Sequence, residues 1–305
     1  MSKSTDVFDR FARAVAADRN FEAAATSYLE AFVNWRRTLS GFNKVVSSGA
    51  RQRIMKSILC LHFGNATENP DDGATFERLL GLSNPADRAA TCGPRVLRTV
   101  IALAQRSGHL AVAQGWYDRR LKILRPTDKW IALEAERHEV ALASLGLLQQ
   151  DRSRFAMRPS GAALVGRLAV ASGRAERAVG VTLGEPDGAM RAVAALDGGM
   201  ATALSVADAW IRGKRIPSHK EIGASFRLSA SQARKILRLA GDHGLLTFDR
   251  EGKIADASGL AAASRRLVAH EFALYARCIA PFEASQAETI PAPAFLAERR
   301  AEHAH

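Results

Sequence analysis

The chain has little cysteine, no long apolar run and no signature of a catalytic or cofactor site. Its 3 cysteines, Cys60, Cys92 and Cys278, are odd in number, far apart and without metal-ligand spacing. That pattern speaks against a disulfide framework or a structural zinc. It fits a reducing cytoplasm in which the thiols pack as small apolar residues. No apolar stretch reaches the roughly 18 residues needed to span a bilayer, and the N-terminal MSKSTDVFDRFARAV lacks a signal-peptide core. A phosphate-cradling glycine loop, a nucleophile elbow and a paired-acid motif are all missing. The glycines between 161 and 199 are spread through predicted helices and follow no strand, so a nucleotide fold is not supported. Glu134 and His138 stand at i and i+4 on a predicted helix and could share a metal, but no third ligand is evident and a solvated charged face accounts for them. Cys60 and His62 lie at i and i+2 on a helix and face different ways. His303 and His305 fall in a tail that reads as loosely ordered. The expectation is a cytoplasmic protein that is not an enzyme and carries no cofactor or metal.

Positive charge is what the chain has in excess. Its 305 residues carry 43 Lys+Arg against 31 Asp+Glu, a net charge of +12, with 47% hydrophobic residues, enough for two modest cores. Such a chain attracts a polyanion and gains from counterion release on binding it. Part of the arginine excess can reflect a GC-rich genome, but that does not explain where the basic residues fall.

They fall on one face of a predicted helix. Residues 218–254 read SHKEIGASFRLSASQARKILRLAGDHGLLTFDREGKI. Ser218 caps a short helix that buries Ile222 and Phe226, Arg227-Leu228-Ser229 makes a tight turn, and Ser229 caps a second helix. Ala233, Ile236, Leu237 and Ala240 form its buried face, leaving Ser231, Gln232, Arg234, Lys235 and Arg238 outward. Gly244 ends it, Leu245 to Phe248 read as a strand, Asp249-Arg250-Glu251-Gly252 as a turn and Lys253-Ile254 as the return strand. Helix, turn, basic helix and hairpin in that order make a winged helix-turn-helix, whose second helix fits a major groove.

The run KEIGASFRLSASQARKILRLAGDHGLL resembles the winged helix-turn-helix transcriptional regulators of bacteria, those of MarR type in particular. The match covers about 40 residues well and the rest loosely. The resemblance implies a first helix, a small–polar turn, a recognition helix and a Gly-Leu step into the wing. Winged helices also serve as protein-interaction modules, so charge and surface must decide between the two uses.

A second copy lies upstream. CGPRVLRTVIALAQRSGHL, 92–110, overlays LSASQARKILRLAGDHGLL, 228–246, without a gap, placing Gly108 on Gly244 and Leu110 on Leu246. Leu97, Val100 and Ile101 then occupy the buried positions of Ala233, Ile236 and Leu237, and Arg95, Arg98, Thr99 and Ala102 face outward. Pro94 suits the first helical turn. Thr75 to Leu80 would be the supporting helix, Leu110 to Gln114 and Leu121 to Leu124 the wing strands, and Gly115 to Arg120 the tip. Residues 84–91 lengthen the turn between the helices, the one departure from the pattern.

The expected fold is mainly α with small β-wings, a tandem winged helix-turn-helix. The predicted parts are an N-terminal helical hairpin (1–46, with Thr5-Asp6 as its first cap), a first winged helix (47–149), a connector (150–197), a second winged helix (198–282) and a C-terminal tail (283–305). Helices 51–63 and 199–211 precede the two units, and helices from Thr127-Asp128 to about Leu148 and from Asp256 to about Ala280 follow them. The apolar faces of the N-terminal hairpin must dock on the first unit or on another subunit, and the helices after the wings suggest association within the chain or between chains, a homodimer through the terminal helices among the outcomes. The expected function is sequence-specific binding of double-stranded DNA in transcriptional control, with recognition helices 94–107 and 229–242. Arg95, Arg98, Arg234, Lys235 and Arg238 are the main candidates for base or phosphate contact, Thr99, Ser229, Ser231 and Gln232 polar neighbours, and Arg119, Arg120, Arg250 and Lys253 wing contacts to phosphate. A plasmid or phage replication initiator and a protein-interaction scaffold are the alternatives.

Overall fold

In a computed structural model, which describes residues 3–39, 41–65, 71–82, 93–148, 160–179 and 188–279, the chain is mainly α-helical with two small antiparallel sheets. The expanded turn at 84–91, Cys92, much of the connector and the tail with His303 and His305 lie outside the described residues.

Side-chain caps set several helix starts. Thr75 accepts from Arg78 N to open α5 (Phe76–Gly81), and Thr127 accepts from Trp130 N to open α7 (Asp128–Leu145). Ser218 and Glu221 form a reciprocal capping box before α11 (His219–Phe226), and Ser229 accepts from Gln232 N before α12 (Ala230–Asp242). The Thr5-Asp6 cap is not found: α1 (Lys3–Ala16) begins earlier. The other helices are α2 (Phe21–Thr38), α3 (Phe42–Val45), α4 (Gly49–Asn65), α6 (Pro94–Arg106), α8 (Gly161–Val179), α9 (Gly188–Ala195), α10 (Gly199–Ile211) and α13 (Ser258–Ile279). One hairpin pairs β1 (Leu110–Gln114) with β2 (Lys122–Pro126), and the other β3 (Thr247–Phe248) with β4 (Ile254–Asp256).

The second hairpin is shorter than expected. Leu245 and Leu246 lie before the strand and are buried in the core, because the chain leaving α12 is still packed on α13. The first hairpin is longer and gains a third partner, a bridge from Ala74 to Leu124.

The two aligned segments share helix length and helix exit. Pro94–Arg106 and Ala230–Asp242 are each 13 residues long and start at overlaid positions. Their ends close by the same bonds: His109 N to Ala104 O at 2.9 Å matches Leu245 N to Ala240 O at 2.8 Å. Gly108 at φ +73° and Gly244 at φ +71° make the same left-handed exit, which an L side chain would strain.

Two cores result. One gathers Leu97, Val100 and Ala104 of α6 with Ile58 of α4, Leu124 of β2 and Trp130 of α7. The other gathers Ala233, Ile236 and Leu237 of α12 with Leu204 of α10 and Phe272 of α13. Helices α1 and α2 are not a hairpin packed on itself. The first lies along α13, while the second is wedged between α7 and α10, so its apolar faces are spent inside the chain. Part of the segment read as a connector is also packed: α8 lies against α4 and α7, with Val165 in one core and Leu164 in the other.

Buried histidines make folding acid-sensitive. His109 is 3% exposed against Phe42, ring centroids 4.3 Å apart, and burial with Lys129 nearby pushes it down to about 4. Burial beside Arg125 pushes His62 to about 4, and burial holds His138 well below its ordinary value. For His62 and His109 the unfolded chain takes up the proton near pH 6.5 and the folded chain only near 4, so their contribution is full above about pH 7 and falls as pH drops between those values; His138 works in the same direction. At pH 5 the loss is expected to be about 1–2 kcal/mol for each of His62 and His109, read from urea unfolding at several pH values. A flat profile from pH 7.5 to 5 would contradict it.

Candidate nucleic-acid interface

Each copy presents one helix whose buried face is apolar and whose outer face is basic. On α12 the residues Ser231, Arg234, Lys235 and Arg238 are all exposed. Arg234 and Arg238 lie one turn apart, and both lower the pKa of His219 after burial itself, which places that imidazole under the same positive field. Sequence reasoning missed His219, which carries no signal apart from its position next to the Ser218 cap.

Two predicted readers on this helix have structural duties. Ser229 spends its hydroxyl on the cap and lies 2.9 Å from the Ser231 hydroxyl. Gln232 donates from Nε2 to Asp197 O at 3.2 Å. Asp197 in turn accepts from the Ser47 hydroxyl at 2.7 Å and pairs with Arg51. The start of α12 is thereby tied to the start of α4 in the other half of the chain. Neither Ser229 nor Gln232 is poised as an edge reader, because the bonds that orient the helix already use them.

On α6, Arg95, Arg98 and Thr99 are exposed. Thr99 donates its hydroxyl back to Arg95 O at 2.9 Å, and the Arg98 guanidinium lies over the Phe76 ring, 5.2 Å from its centroid. Arg95 extends from the first turn of the helix.

The hairpins differ in charge and length. In the second, Asp249 accepts from Glu251 N and Lys253 N, each at 2.9 Å, closing a tight turn. Lys253 pairs with Glu251 at 2.6 Å, so its charge is partly spent, while Arg250 is exposed at the turn. In the first, Arg119 and Arg120 are exposed at the tip beside Trp116 and Tyr117. The Asp71 carboxylate accepts the backbone N–H of Trp116, of Tyr117 at 2.9 Å and of Asp118 at 3.0 Å. Desolvation alone pushes that carboxyl up, but the bonds from Asp118, Trp116 and Tyr117 and the charge of Arg125 outweigh it and hold the group below the usual carboxylate range. Asp71 was not predicted, since nothing in the sequence joins it to a turn more than forty residues away.

Glu134 and His138 are not on a solvated face. Both are buried: Glu134 accepts from Arg137 Nε at 2.8 Å and Trp130 Nε1 at 3.4 Å, and His138 Nδ1 lies 2.7 Å from the Tyr275 hydroxyl. Among the described residues no group of three His, Cys, Asp or Glu is placed to hold a metal ion, and no helix is long and apolar enough to cross a membrane.

No protein-family model matches the chain, and neither a curated protein nor a solved structure matches it.

Proposed function

We propose that the chain is a sequence-specific double-stranded DNA-binding protein of transcriptional control, built from two winged helix-turn-helix units. In this reading α6 and α12 are recognition helices that lie in major grooves, and the hairpins are wings on neighbouring phosphates. The observation that carries it is the exposed basic face of α12, Arg234, Lys235 and Arg238, on a helix held rigid by a cap and followed by a hairpin. A helix of the same length in the same register at α6, also followed by a hairpin but opened by Gly93 without a side-chain cap, supports a pair of half-sites. The two helices expose different residues, so the half-sites are expected to differ, giving an imperfect palindrome or none.

The test is selection of bound sequences from genomic or random DNA by the whole chain, repeated with variants. The whole chain is the unit because the core around α12 includes α1, α2 and α8. On the selected site Arg234→Ala or Lys235→Ala is expected to cost about 1–3 kcal/mol where the side chain reads a base, with relaxed preference at one position. Arg250→Ala in the wing is expected to weaken all sequences evenly. Unchanged preference in both helix variants would move recognition to α6. No DNA binding at low salt would favour the protein-interaction alternative. Selected sites clustered as repeats at a replication origin would favour the initiator.

A further inference from the structure

The first wing carries a feature that duplex reading does not use. Trp116 is 74% exposed and Tyr117 77% exposed, adjacent at the hairpin tip. Trp35 and Trp130 are buried and Trp210 is partly buried, so Trp116 stands apart among the tryptophans. Exposing two large rings side by side loses burial that most other described aromatic residues have, Phe11 and Phe248 being less exposed than either and standing singly, and marks a contact surface.

The tip is also built to hold those rings out. Asp71 clamps three consecutive N–H groups, and Gly115 N bonds Leu121 O at 3.0 Å across the base of the loop. A Cβ on Gly115 would run into Asp118 O and crowd Asp71 Oδ2 and the Leu121 Cβ, so the closed tip needs glycine there. A clamped backbone lowers the entropy that binding must remove. Arg119 and Arg120 follow after Asp118 and are exposed, so two flat rings and two cations lie within five residues. The other hairpin also closes on a carboxylate, Asp249, but its turn Asp249-Arg250-Glu251-Gly252 carries no ring and Lys253 is paired to Glu251.

We propose that the tip of the first wing, Trp116, Tyr117, Arg119 and Arg120, is a stacking site for unpaired DNA bases beside a duplex. Aromatic faces stack on any base, and neighbouring cations take the phosphates. Bases inside an intact duplex already cover one another's faces, so the ligand these rings fit is a base outside the stack, at a fork, bubble or frayed end. A basic flank selects a polyanion over an apolar protein surface. The proposal rests on the reading of the chain as a DNA-binding protein, and it names the DNA form that the first unit takes.

The experiment compares the full chain on a blunt duplex and on the same duplex ending in a fork of unpaired thymines, by fluorescence anisotropy at one salt concentration. The fork is expected to bind about tenfold more tightly. Trp116→Ala with Tyr117→Ala is expected to abolish that difference and leave blunt-duplex affinity unchanged. Both side chains are exposed, so an unchanged melting temperature verifies the fold. Quenching of tryptophan emission by the fork, lost in Trp116→Ala, is the second readout. Equal affinity for fork and blunt duplex, or a fork preference that survives the double substitution, overturns the stacking site and leaves the duplex reading standing. Binding to the fork with none to the blunt duplex keeps the stacking site and overturns the duplex reading. Loss of self-association in the double variant, with no fork preference in the parent, overturns it in favour of a protein contact.

Discussion

Raising salt from about 50 to about 200 mM is expected to weaken duplex DNA binding about 10³–10⁴-fold. The figure follows from the surface. Nine Arg and Lys side chains were candidates for phosphate or base contact, and two of them are engaged within the chain: Arg98 over Phe76 and Lys253 with Glu251. Arg95, Arg119, Arg120, Arg234, Lys235, Arg238 and Arg250 remain, all exposed. Seven released counterions give a log–log slope of about −6. If only the second unit touches DNA, its four cations give about −3.6. The slope thus distinguishes a tandem reader from a single one before any site is mapped. Arg119→Ala or Arg95→Ala should each reduce the slope by about 1 in the tandem case and leave it untouched in the other. Binding indifferent to salt would remove the electrostatic basis of the proposed function.

The sequence made local structure legible where the signal is local. The duplicated helices were found because capping, apolar spacing and an exit glycine all fall within 19-residue windows that align without a gap. The observed helices begin and end within about one residue of the expected ones, the usual scatter of helix boundaries. Long-range structure was not legible. Apolar faces on α1 and α2 showed that those helices dock, but not that one lies on α13 and the other between α7 and α10. Gln232 read as an outward polar residue because its acceptor, Asp197 O, is 35 residues upstream. The candidate interface divides in the same way. Basic residues on a helix face are visible from spacing, whereas the Asp71 clamp that shapes the first wing tip depends on a chain crossing. Helix α7 is the clearest miss. Glu134, Arg137 and His138 look like a solvated charged stripe, because the Tyr275 that covers them lies 137 residues from His138.

That misread stripe yields the largest expected effect on folding. Glu134→Gln is expected to cost about 3 kcal/mol, the low end for breaking a buried ion pair, because the Arg137 side chain is 25% exposed against 11% for Glu134. Glu134 is 8% exposed and holds Arg137 at 2.8 Å, and Arg36, 4% exposed, lies in the same field. Burial lowers the Arg36 guanidinium to about 10, with Glu134 working against the drop. Burial would lower Arg137 too, yet Glu134 and its neighbours hold it above its ordinary value. Glu134 thus compensates Arg36 and, with Glu271, Arg137; its amide keeps one acceptor, sets an N–H donor against the other donor and removes the charge. Tyr275→Phe removes the hydroxyl that meets His138 and Arg137, across from α7 on α13, and is expected to cost about 1–3 kcal/mol by leaving buried polar groups without a partner. The two effects should be measured by denaturant unfolding at neutral pH, where His138 is neutral in both folded and most unfolded chains. Added salt should change the Glu134→Gln loss little, because buried charges are weakly screened. A loss below about 1 kcal/mol for Glu134→Gln would place the pair among exposed surface bridges. The contact between α7 and α13, which joins the two halves of the chain, would then rest on the Tyr275 hydroxyl and apolar packing.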